Sequence, residues 1–480
     1  LFAETQQFPD PDPEIMATAL RTYVVAVDVE TQTEAKYCTP AVPSKDFGLA
    51  YTAPMTAIAV AWLERGIVTS FTLHAPFTEA AQGFIQALLL PKRILIAHNA
   101  IFDMRQLAKF GGIEFDSVWC TQVMARLLTP FERNYDLASV AQHNGIDVPD
   151  WVKEIKKSRG QLHLLPAEQV RKYVAFDAET ALQIYEAQQR LIDSEELTAL
   201  VQWETAAVTE YCRMAGRGIK LNREYVETRI DELIKLRQKL WRELTDSGCS
   251  NPGSSQACVK YIYQIKQVPL PKWYAGSPLF TDKGHERLAS TSANETSVEL
   301  GDLSADKEAL EELMLNEEYA PLLLQLKDFK EIEYTCRTLE SLLDHAALDG
   351  RIHSMINVAT ITGRRSSTHP NIQNLKFGGE SVAGDFSGVF IAEDGYTLVE
   401  IDYSNAENWI AALISGDNNL AAACSDSDFH SAMAERYFKD EWSHADAKHR
   451  KILRRKGKSV TFGAAYGQQA KGLSVRMKIT

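Results

Sequence analysis

The sequence predicts a multi-domain α/β protein, with an α/β domain first and a largely helical region after it. Three apolar, β-rich runs, YVVAVDVET, MTAIAVAWL and RILIAHNA, fall within the first hundred residues. Helical patterns alternate with them and follow them, which is typical of a sheet flanked by helices. Beyond about residue 196 the β signal fades and helical periodicity with i,i+4 charge pairs takes over.

Composition excludes several classes of protein. The 480 residues contain no run of about 18 apolar residues, so we expect no membrane span. The seven cysteines form no C-x-x-C pair, which disfavours structural zinc and fits a reducing compartment. A net charge of −13 disfavours a simple nucleic-acid-coating protein, yet residues 448–458 hold seven Lys or Arg and no acid.

Changes in pattern divide the chain into five segments. Residues 1–20 are rich in Pro and Asp and are interpreted as a leader or linker. The α/β domain occupies residues 21–195 and the helical region residues 196–350. Strand-like runs return in residues 351–427, with RIHSMINVAT and YTLVEIDYS. Residues 428–480 are again helical in pattern.

Two acids in the first predicted strand suggest a cation site. Asp28 and Glu30 are two residues apart, so they share one strand face, where they repel each other unless cations neutralise them. Asp103 follows in HNAIFD, and Tyr173 and Asp177 follow in YVAFD, one helical turn apart. Each piece alone has a plainer interpretation, such as solvated strand acids or a core tyrosine, whereas the ordered set is far more specific.

The ordered motifs DxE, NxxxD and YxxxD resemble the DEDD-type 3′→5′ exonucleases of the subgroup with a tyrosine in the last motif. The resemblance covers residues 21–195 and implies a ribonuclease H-like domain. It implies that Asp28, Glu30, Asp103 and Asp177 hold two Mg²⁺ or Mn²⁺ ions, which activate a water and stabilise the leaving 3′ oxygen. Tyr173 is a poor base at pH 7, with a reference pKa near 10, so we expect it to orient the attacking water.

A second pattern lies near the C-terminal end of the sequence. Arg454, Lys458, Phe462 and Tyr466 recur every four residues and would form one stripe on a helix. Two cations suit a polyphosphate, and two aromatics suit a base and a sugar. Taken on its own, the segment favours a plainer interpretation, a solvated basic face that continues into a helix core.

The segments TGRRSSTHPNIQNL, LVEIDYSNAENWIAAL and DFHSAMA precede the stripe in that order. Together they resemble family A DNA polymerases, from about residue 196 to the end. The resemblance implies a partial right-hand polymerase, with the thumb and start of the palm at 196–350, the palm at 351–427 and the first part of the fingers at 428–480.

The resemblance also assigns roles to residues. Asp402, at the end of an apolar strand, would bind both catalytic metals, and Glu407 would act as a steric gate against the ribose 2′-OH. The triphosphate would be contacted by His430, Arg454 and Lys458, and Lys458 would help pyrophosphate to leave.

Further implied contacts are to the sugar, the template and the duplex. Phe462 would pack on the sugar and discriminate against dideoxy sugars, and Tyr466 would stack near the templating base. Minor-groove contacts, which are tolerant of sequence, would come from Arg364, Asn371, Gln373 and Asn374.

The sequence departs from the family pattern at a few positions. Asn405, Ala406 and Trp409 stand where the family usually has Gln, Ile and Arg, and Arg365 replaces an apolar residue. A second palm aspartate usually follows the stripe, and no acid follows Tyr466 here. We therefore expect these residues to be a C-terminally truncated fragment.

The leading hypothesis is a DNA-directed DNA polymerase with a proofreading exonuclease, whose partners are primer-template DNA and dNTPs. Two Mg²⁺ or Mn²⁺ ions are expected per active site. The alternatives are a stand-alone DEDD exonuclease with a helical accessory module and a non-enzymatic template-binding remnant. The absence of an upstream 5′→3′ nuclease segment favours a phage-like enzyme, in the cytoplasm of a bacterial or phage-infected cell, or in an organelle.

Overall fold

The structure is a computed structural model, and contacts divide the chain into two units, residues 1–397 and 398–480. The residues that it describes are 10–31, 53–158, 162–270, 278–290, 298–377, 384–425 and 428–467, apart from single positions at 113, 131, 133, 195, 315, 317, 359, 361 and 466.

A five-stranded sheet organises the α/β domain, in the order β3-β2-β1-β4-β5. Strand β2 is antiparallel to both of its neighbours, β1 and β3, whereas β4 and β5 run parallel to β1. The strands are β1 (Val24–Thr31), β2 (Met55–Glu64), β3 (Ile67–His74), β4 (Ile94–Ala97) and β5 (Ser117–Cys120). Sequence analysis predicted β1, β2 and β4. It missed β3, which has no clean alternation of burial, and β5, which has only four residues.

Helices cover both faces of this sheet. They are α1 (Pro13–Arg21), α2 (Glu79–Leu88), α3 (Ala100–Leu107), α4 (Thr121–Leu128), α5 (Leu137–His143), α6 (Asp150–Lys156), α7 (Ala167–Ser194) and α8 (Thr198–Arg217). The long helix α7 packs on β1, β2 and β3, and α8 packs on α3 and β5.

The two faces of the sheet differ in side-chain size. Val25, Val27 and Val29 of β1 enter one core, whereas Ala26 and three alanines of β2 enter the other, together with α7. Small side chains let the 28-residue helix α7 lie close to the strands. Because the alternation has period two, the even-numbered acids of β1 lie on the face that α7 covers.

The interpretation of residues 1–20 as a leader or linker needs correction in its second half. Residues 13–21 form α1, which packs on α2 and β2. Met16 and Ala19 are buried in the core of the α/β domain. The Asp12 side chain caps the helix, and Pro13 occupies its first position, where a missing N–H has no consequence. The Pro and Asp residues thus mark a helix start. The predicted start of this segment, residues 1–9, lies outside the described residues.

The rest of the first unit is a helical body with two small β pairs. Its elements are β6 (Ile219–Lys220), α9 (Arg223–Asp246), α10 (Ser255–Lys260), α11 (Asp282–Ser290), α12 (Lys307–Leu313), α13 (Ala320–His345), β7 (Arg351–Ile352), β8 (Met355–Asn357) and β9 (Ser366–Thr368). Helices α9 and α13 pack along each other around a core that includes Leu233, Leu240, Leu326 and Phe329. Helical periodicity had predicted both helices.

Gly284 on α11 allows a close backbone approach. A Cβ there would lie 2.3 Å from the carbonyl oxygen of Asp302, which also accepts a 2.8 Å hydrogen bond from the Thr281 N–H. Gly284→Ala should therefore lower the free energy of unfolding by about 1–3 kcal/mol, measured by urea denaturation. Gly301→Ala, where nothing lies within 4 Å, is the matched control and should change it by less than about 0.5 kcal/mol. Equal effects would contradict the steric explanation.

The side-chain amine of Lys109 lies inside the α/β domain. Its Nζ donates to the carbonyl of Ala53 at 2.6 Å, and burial, then the charge of Arg105, lower its pKa from 10.5 to about 7. Between pH 7 and 10 the unfolded chain binds more protons at this site, so stability there should rise with pH. Melting curves of wild type and Lys109→Met should diverge in favour of wild type as the pH rises through that range. Exposed Lys153→Met is the control, and a difference that does not vary with pH would contradict the prediction.

The second unit, residues 398–480, is built from four described helices. They are α14 (Ala406–Ser415), α15 (Asn418–Cys424), α16 (Phe429–His444) and α17 (Ala447–Ala465). Helices α16 and α17 pack tightly, and a Cβ at Gly457 would meet Ala434 at 3.0 Å. Gly467 lies past the end of α17 with a φ of +76° and open space around it, so its role is a left-handed backbone conformation.

The predicted apolar strand before Asp402 is absent. Residues 398–404 are described but form no strand, and Val399, Ile401 and Tyr403 are more than 70% exposed. A strand needs a neighbour for its backbone N–H and C=O groups, and no described residue pairs with this segment. Every helix within the described ranges is too short or too polar to span a membrane.

Candidate functional site

The three acids Asp28, Glu30 and Asp177 converge at the centre of the sheet. Each offers a carboxylate oxygen, and these atoms all lie within 4.8 Å of one another. Asp28 and Glu30 come from β1 and Asp177 from α7, which covers that face. Glu30 and Asp177 are buried, and Asp28 is half-buried. Asp28 and Glu30 thus lie on one face of β1, as its period of two residues requires.

Asp103 lies beside this cluster but is not one of the three converging acids. It is buried in the first turn of α3, and its Oδ1 accepts a 3.0 Å hydrogen bond from the backbone N–H of Val29. Val29 stands between the two acids of β1, so this bond fixes α3 against the strand that bears them. Asn99, at the N-cap of α3, adopts a left-handed conformation and turns the chain from β4 into the helix.

Tyr173 lies one helical turn before Asp177 on α7 and is 2% exposed. It belongs to the core on the α7 face, so packing fixes the ring. Nearby on the same helix, Glu179 accepts a hydrogen bond from Ser70 of β3, which ties the helix to the far edge of the sheet.

The donor set fits a hard divalent cation. All three converging ligands are carboxylate oxygens, the atoms that Mg²⁺ and Mn²⁺ prefer. Oxygens that bind one ion at about 2.0–2.6 Å can be at most about 4–5 Å apart, which these satisfy. Three gathered carboxylates also repel one another unless a cation or protons neutralise them.

A groove in the first unit joins four lysines to two predicted DNA contacts. Its volume is about 640 Å³, and it lies between α12, α13 and the segment after β9. The lining includes Lys307, Lys327, Lys330, Lys376, Tyr334, Gln373, Asn374 and Glu331. Within the described residues, Lys330 and Lys376 form no salt bridge, whereas Lys307 and Lys327 have acidic partners. Sequence analysis missed these lysines, because they are scattered over seventy residues.

The other two predicted duplex contacts lie elsewhere in the same segment. Asn371 is exposed, and its Oδ1 accepts hydrogen bonds from the Ser367 hydroxyl at 3.2 Å and from the Gln373 N–H at 3.1 Å. It therefore shapes the turn that presents Gln373. Arg364 is exposed in the turn before β9 and does not line the groove.

Arg365, which departs from the family pattern, anchors this segment. One of its Nη atoms donates to Glu204 of α8 at 2.6 Å and the other to the carbonyl of Val358 at 3.0 Å. Its guanidinium lies 5.4 Å from the centre of the Tyr211 ring. The apolar residue that the family usually has at this position could form none of these bonds. Packing against α8 therefore explains why this chain has an arginine there.

The two predicted acids of the second unit are both exposed. Asp402 precedes α14 in the segment without a strand, and Glu407 is in the first turn of that helix. Among the described residues, Asp28, Glu30 and Asp177 are the one group of three or more potential metal ligands that converge, and Asp402 is not part of it.

Three predicted phosphate contacts lie on α16 and α17, which pack against each other. Burial, then the charges of Lys458 and Arg454, lower the pKa of His430, which places all three side chains in one electrostatic environment. Arg454 donates through Nε to Asp428 at 2.8 Å. The predicted stripe is helical as far as Ala465; Tyr466 and the side chain of Phe462 lie outside the described residues.

Comparisons with known proteins match two parts of the chain to two families. Residues 13–193 match the 3′-5′ exonuclease family, and residues 279–480 match DNA polymerase family A. DNA polymerase I of Chloroflexus aurantiacus is 29% identical over 428 residues, covering 85% of this chain and 41% of that protein. DNA polymerase I of Mycobacterium leprae is 28% identical over 451 residues, covering 88% and 44%. The chain thus spans less than half the length of these relatives.

A solved structure supports the fold. The chain is similar to the POL domain of Pol1 from M. smegmatis, solved in complex with DNA primer-template and dNTP, with a TM-score of 0.66 and 22% identity. The alignment covers 97% of this chain and 72% of that one. The predicted order, an exonuclease domain before polymerase sequence, is confirmed by the two family matches, while the phage-like character stays a prediction. Residues 279–480 thus match DNA polymerase family A, and residues 13–193 match the 3′-5′ exonuclease family.

Proposed function

We propose that this protein is a DNA-directed DNA polymerase that extends a primer 3′-OH with dNTPs and removes mispaired 3′ ends with its exonuclease. The convergence of Asp28, Glu30 and Asp177 on one face of the sheet carries the exonuclease part of the proposal. The match of residues 279–480 to DNA polymerase family A supports the polymerase part. Its proposed partners are primer-template DNA and dNTPs, and its proposed location is the cytoplasm.

In the exonuclease, the carboxylates would hold two Mg²⁺ or Mn²⁺ ions, with Asp103 as the fourth acid. When bound, such ions lower the pKa of water and stabilise charge on the leaving 3′ oxygen. The chain supplies the rest: β1 and α7 hold the carboxylates in place, and Tyr173, fixed by packing, orients the attacking water by a hydrogen bond. The buried sheet face limits competing water.

In the polymerase, Asp402 would be a ligand of the catalytic ions and Glu407 the gate against ribose. His430, Arg454 and Lys458 would bind the triphosphate, and Lys458 would protonate or stabilise the departing pyrophosphate. The lysine groove would bind the phosphate backbone of the duplex, with Gln373 and Asn374 at the bases. Phosphate contacts position a duplex without reading its sequence, as a replicative enzyme requires.

A 5′-labelled primer annealed to a template tests the proposal directly. With Mg²⁺ and no dNTPs, we expect shortening from the 3′ end that EDTA abolishes. With dNTPs, extension supports the polymerase. Metal-dependent digestion without extension or dNTP binding would favour a stand-alone DEDD exonuclease with a helical accessory module. Absence of metal-dependent digestion would contradict the exonuclease assignment.

A further inference from the structure

Asp428 connects two of the predicted triphosphate-binding residues. Its Oδ2 accepts from the Arg454 Nε at 2.8 Å and from the Ser431 hydroxyl at 2.7 Å, and its Oδ1 accepts from the Ser431 N–H at 3.3 Å. Asp428 is thus the N-cap of α16, the helix whose second residue is His430. One carboxylate therefore sets both the start of that helix and the orientation of the Arg454 side chain on α17.

The bond to Asp428 uses only one edge of the Arg454 guanidinium. Among the described residues, Arg454 donates its hydrogen bond through Nε, its ion-pair partner is Asp428, and no hydrogen bond from its two Nη atoms is seen. A guanidinium is planar, so fixing Nε fixes the direction in which the Nη donors point. Two parallel donors in a fixed plane are what bidentate recognition of a phosphate needs.

The pair contributes little to folding, because the side chains of Asp428 and Arg454 are each 42% exposed. The Arg454 bond holds the pKa of Asp428 far below its usual range, so the carboxylate is ionised near neutral pH. A permanent negative charge beside a phosphate-binding cluster would by itself repel a polyphosphate. Its presence there calls for a compensating role.

We propose that Asp428 is a positioning residue for the polyphosphate of the incoming nucleotide, acting by holding Arg454 in its binding orientation next to His430 and Lys458. The proposal rests on the proposed function of this cluster as a triphosphate site. It adds a residue that does not touch the ligand but lowers the entropy lost when Arg454 binds it.

The direction in which polyphosphate affinity changes when Asp428 is replaced distinguishes positioning from simple charge neutralisation. If Asp428 only neutralised Arg454, its replacement by a neutral residue would strengthen polyphosphate binding. If Asp428 positions Arg454, the same replacement would weaken binding in spite of the lost repulsion. Asp428→Asn is the suitable change, since Asn is an equally good N-cap and keeps α16 in place.

The experiment is calorimetric titration of the 480-residue chain with inorganic tripolyphosphate and with dATP, at low ionic strength with Mg²⁺. We expect Asp428→Asn to weaken both about tenfold and to leave the melting temperature unchanged. In the Arg454→Ala background, Asp428→Asn should have no further effect, because it acts through Arg454. Ser431→Ala, which removes a neighbouring bond and keeps the Arg454 bond, is the matched control and should bind within about twofold of wild type.

The other possible results would contradict either the positioning role of Asp428 or the triphosphate site itself. Equal or tighter binding by Asp428→Asn would show that the carboxylate neutralises Arg454 or competes for it. A loss that persists in the Arg454→Ala background would assign Asp428 a purely structural role. Failure of wild type to bind either probe would overturn the triphosphate site itself, and the positioning role with it, whereas wild-type binding with an unaffected variant overturns the positioning role alone.

Discussion

Asp177→Asn is expected to abolish metal-dependent removal of 3′-terminal nucleotides, by at least about 10²-fold, with the fold intact. The substitution keeps the volume of the side chain but removes one of three converging carboxylates, and with it a charged ligand. Even residues that only support metal ligands change affinity or activity by about 10–100-fold, so loss of a ligand should exceed that range. The measurement is release of labelled nucleotides from single-stranded DNA in Mg²⁺ or Mn²⁺.

A second readout distinguishes loss of the cation site from misfolding. Bound cations stabilise the folded state, so Mn²⁺ should raise the melting temperature of wild type and not that of Asp177→Asn. Without metal, the variant should melt at or above the wild-type temperature, because one repulsive charge is gone. Asp150→Asn, an exposed acid of α6 paired with Lys153, is the control and should behave as wild type. Unchanged digestion by Asp177→Asn would end the exonuclease assignment.

Lys330→Ala combined with Lys376→Ala is expected to weaken duplex binding about 10- to 10²-fold at 0.1 M salt. Both lysines line the groove and have no acidic partner among the described residues, so their charge is available to phosphates. Each phosphate contact contributes about 0.9 to the slope of log affinity against log salt. The slope should therefore become shallower by about 1.8, measured by fluorescence anisotropy with a primer-template duplex.

The control for the groove removes the same net charge elsewhere. Lys153→Ala with Lys239→Ala deletes two exposed lysines that pair with Asp150 and Glu243 outside the groove. This double variant should leave the salt slope within about 0.3 of wild type. If both double variants lose affinity equally, binding depends on overall charge, and the groove is not the duplex interface.

The exonuclease cluster could be foreseen because its chemistry follows from short-range spacing. Asp28 and Glu30 share a strand face by the period of the strand, and Tyr173 and Asp177 share a helix face by the period of the helix. Neither period predicts whether the acidic face of the strand and the acidic face of the helix meet. Their meeting required the alanines of β1 and β2, which let α7 lie on that face.

Other features could not be predicted from local sequence patterns, because their residues are far apart in the sequence. The lysines of the groove come from α12, α13 and the segment after β9, and only tertiary packing places them together. Arg365 departs from the family pattern, and the sequence alone does not explain why. The explanation is the hydrogen bond that it donates to Glu204, 161 residues earlier. The strand predicted before Asp402 failed for the converse reason, since β-propensity describes one strand and a sheet needs two.

By itself the sequence determined the classes of element, the acids of β1 and α7, and the cations of α17, because periods of two and 3.6 residues act over a single element. The tertiary structure alone decided that Asp177 faces Glu30, that Asp428 orients Arg454 and that Lys330 and Lys376 share a groove. Such contacts depend on the packing of side chains from distant elements, whose shapes become complementary only when the core is assembled.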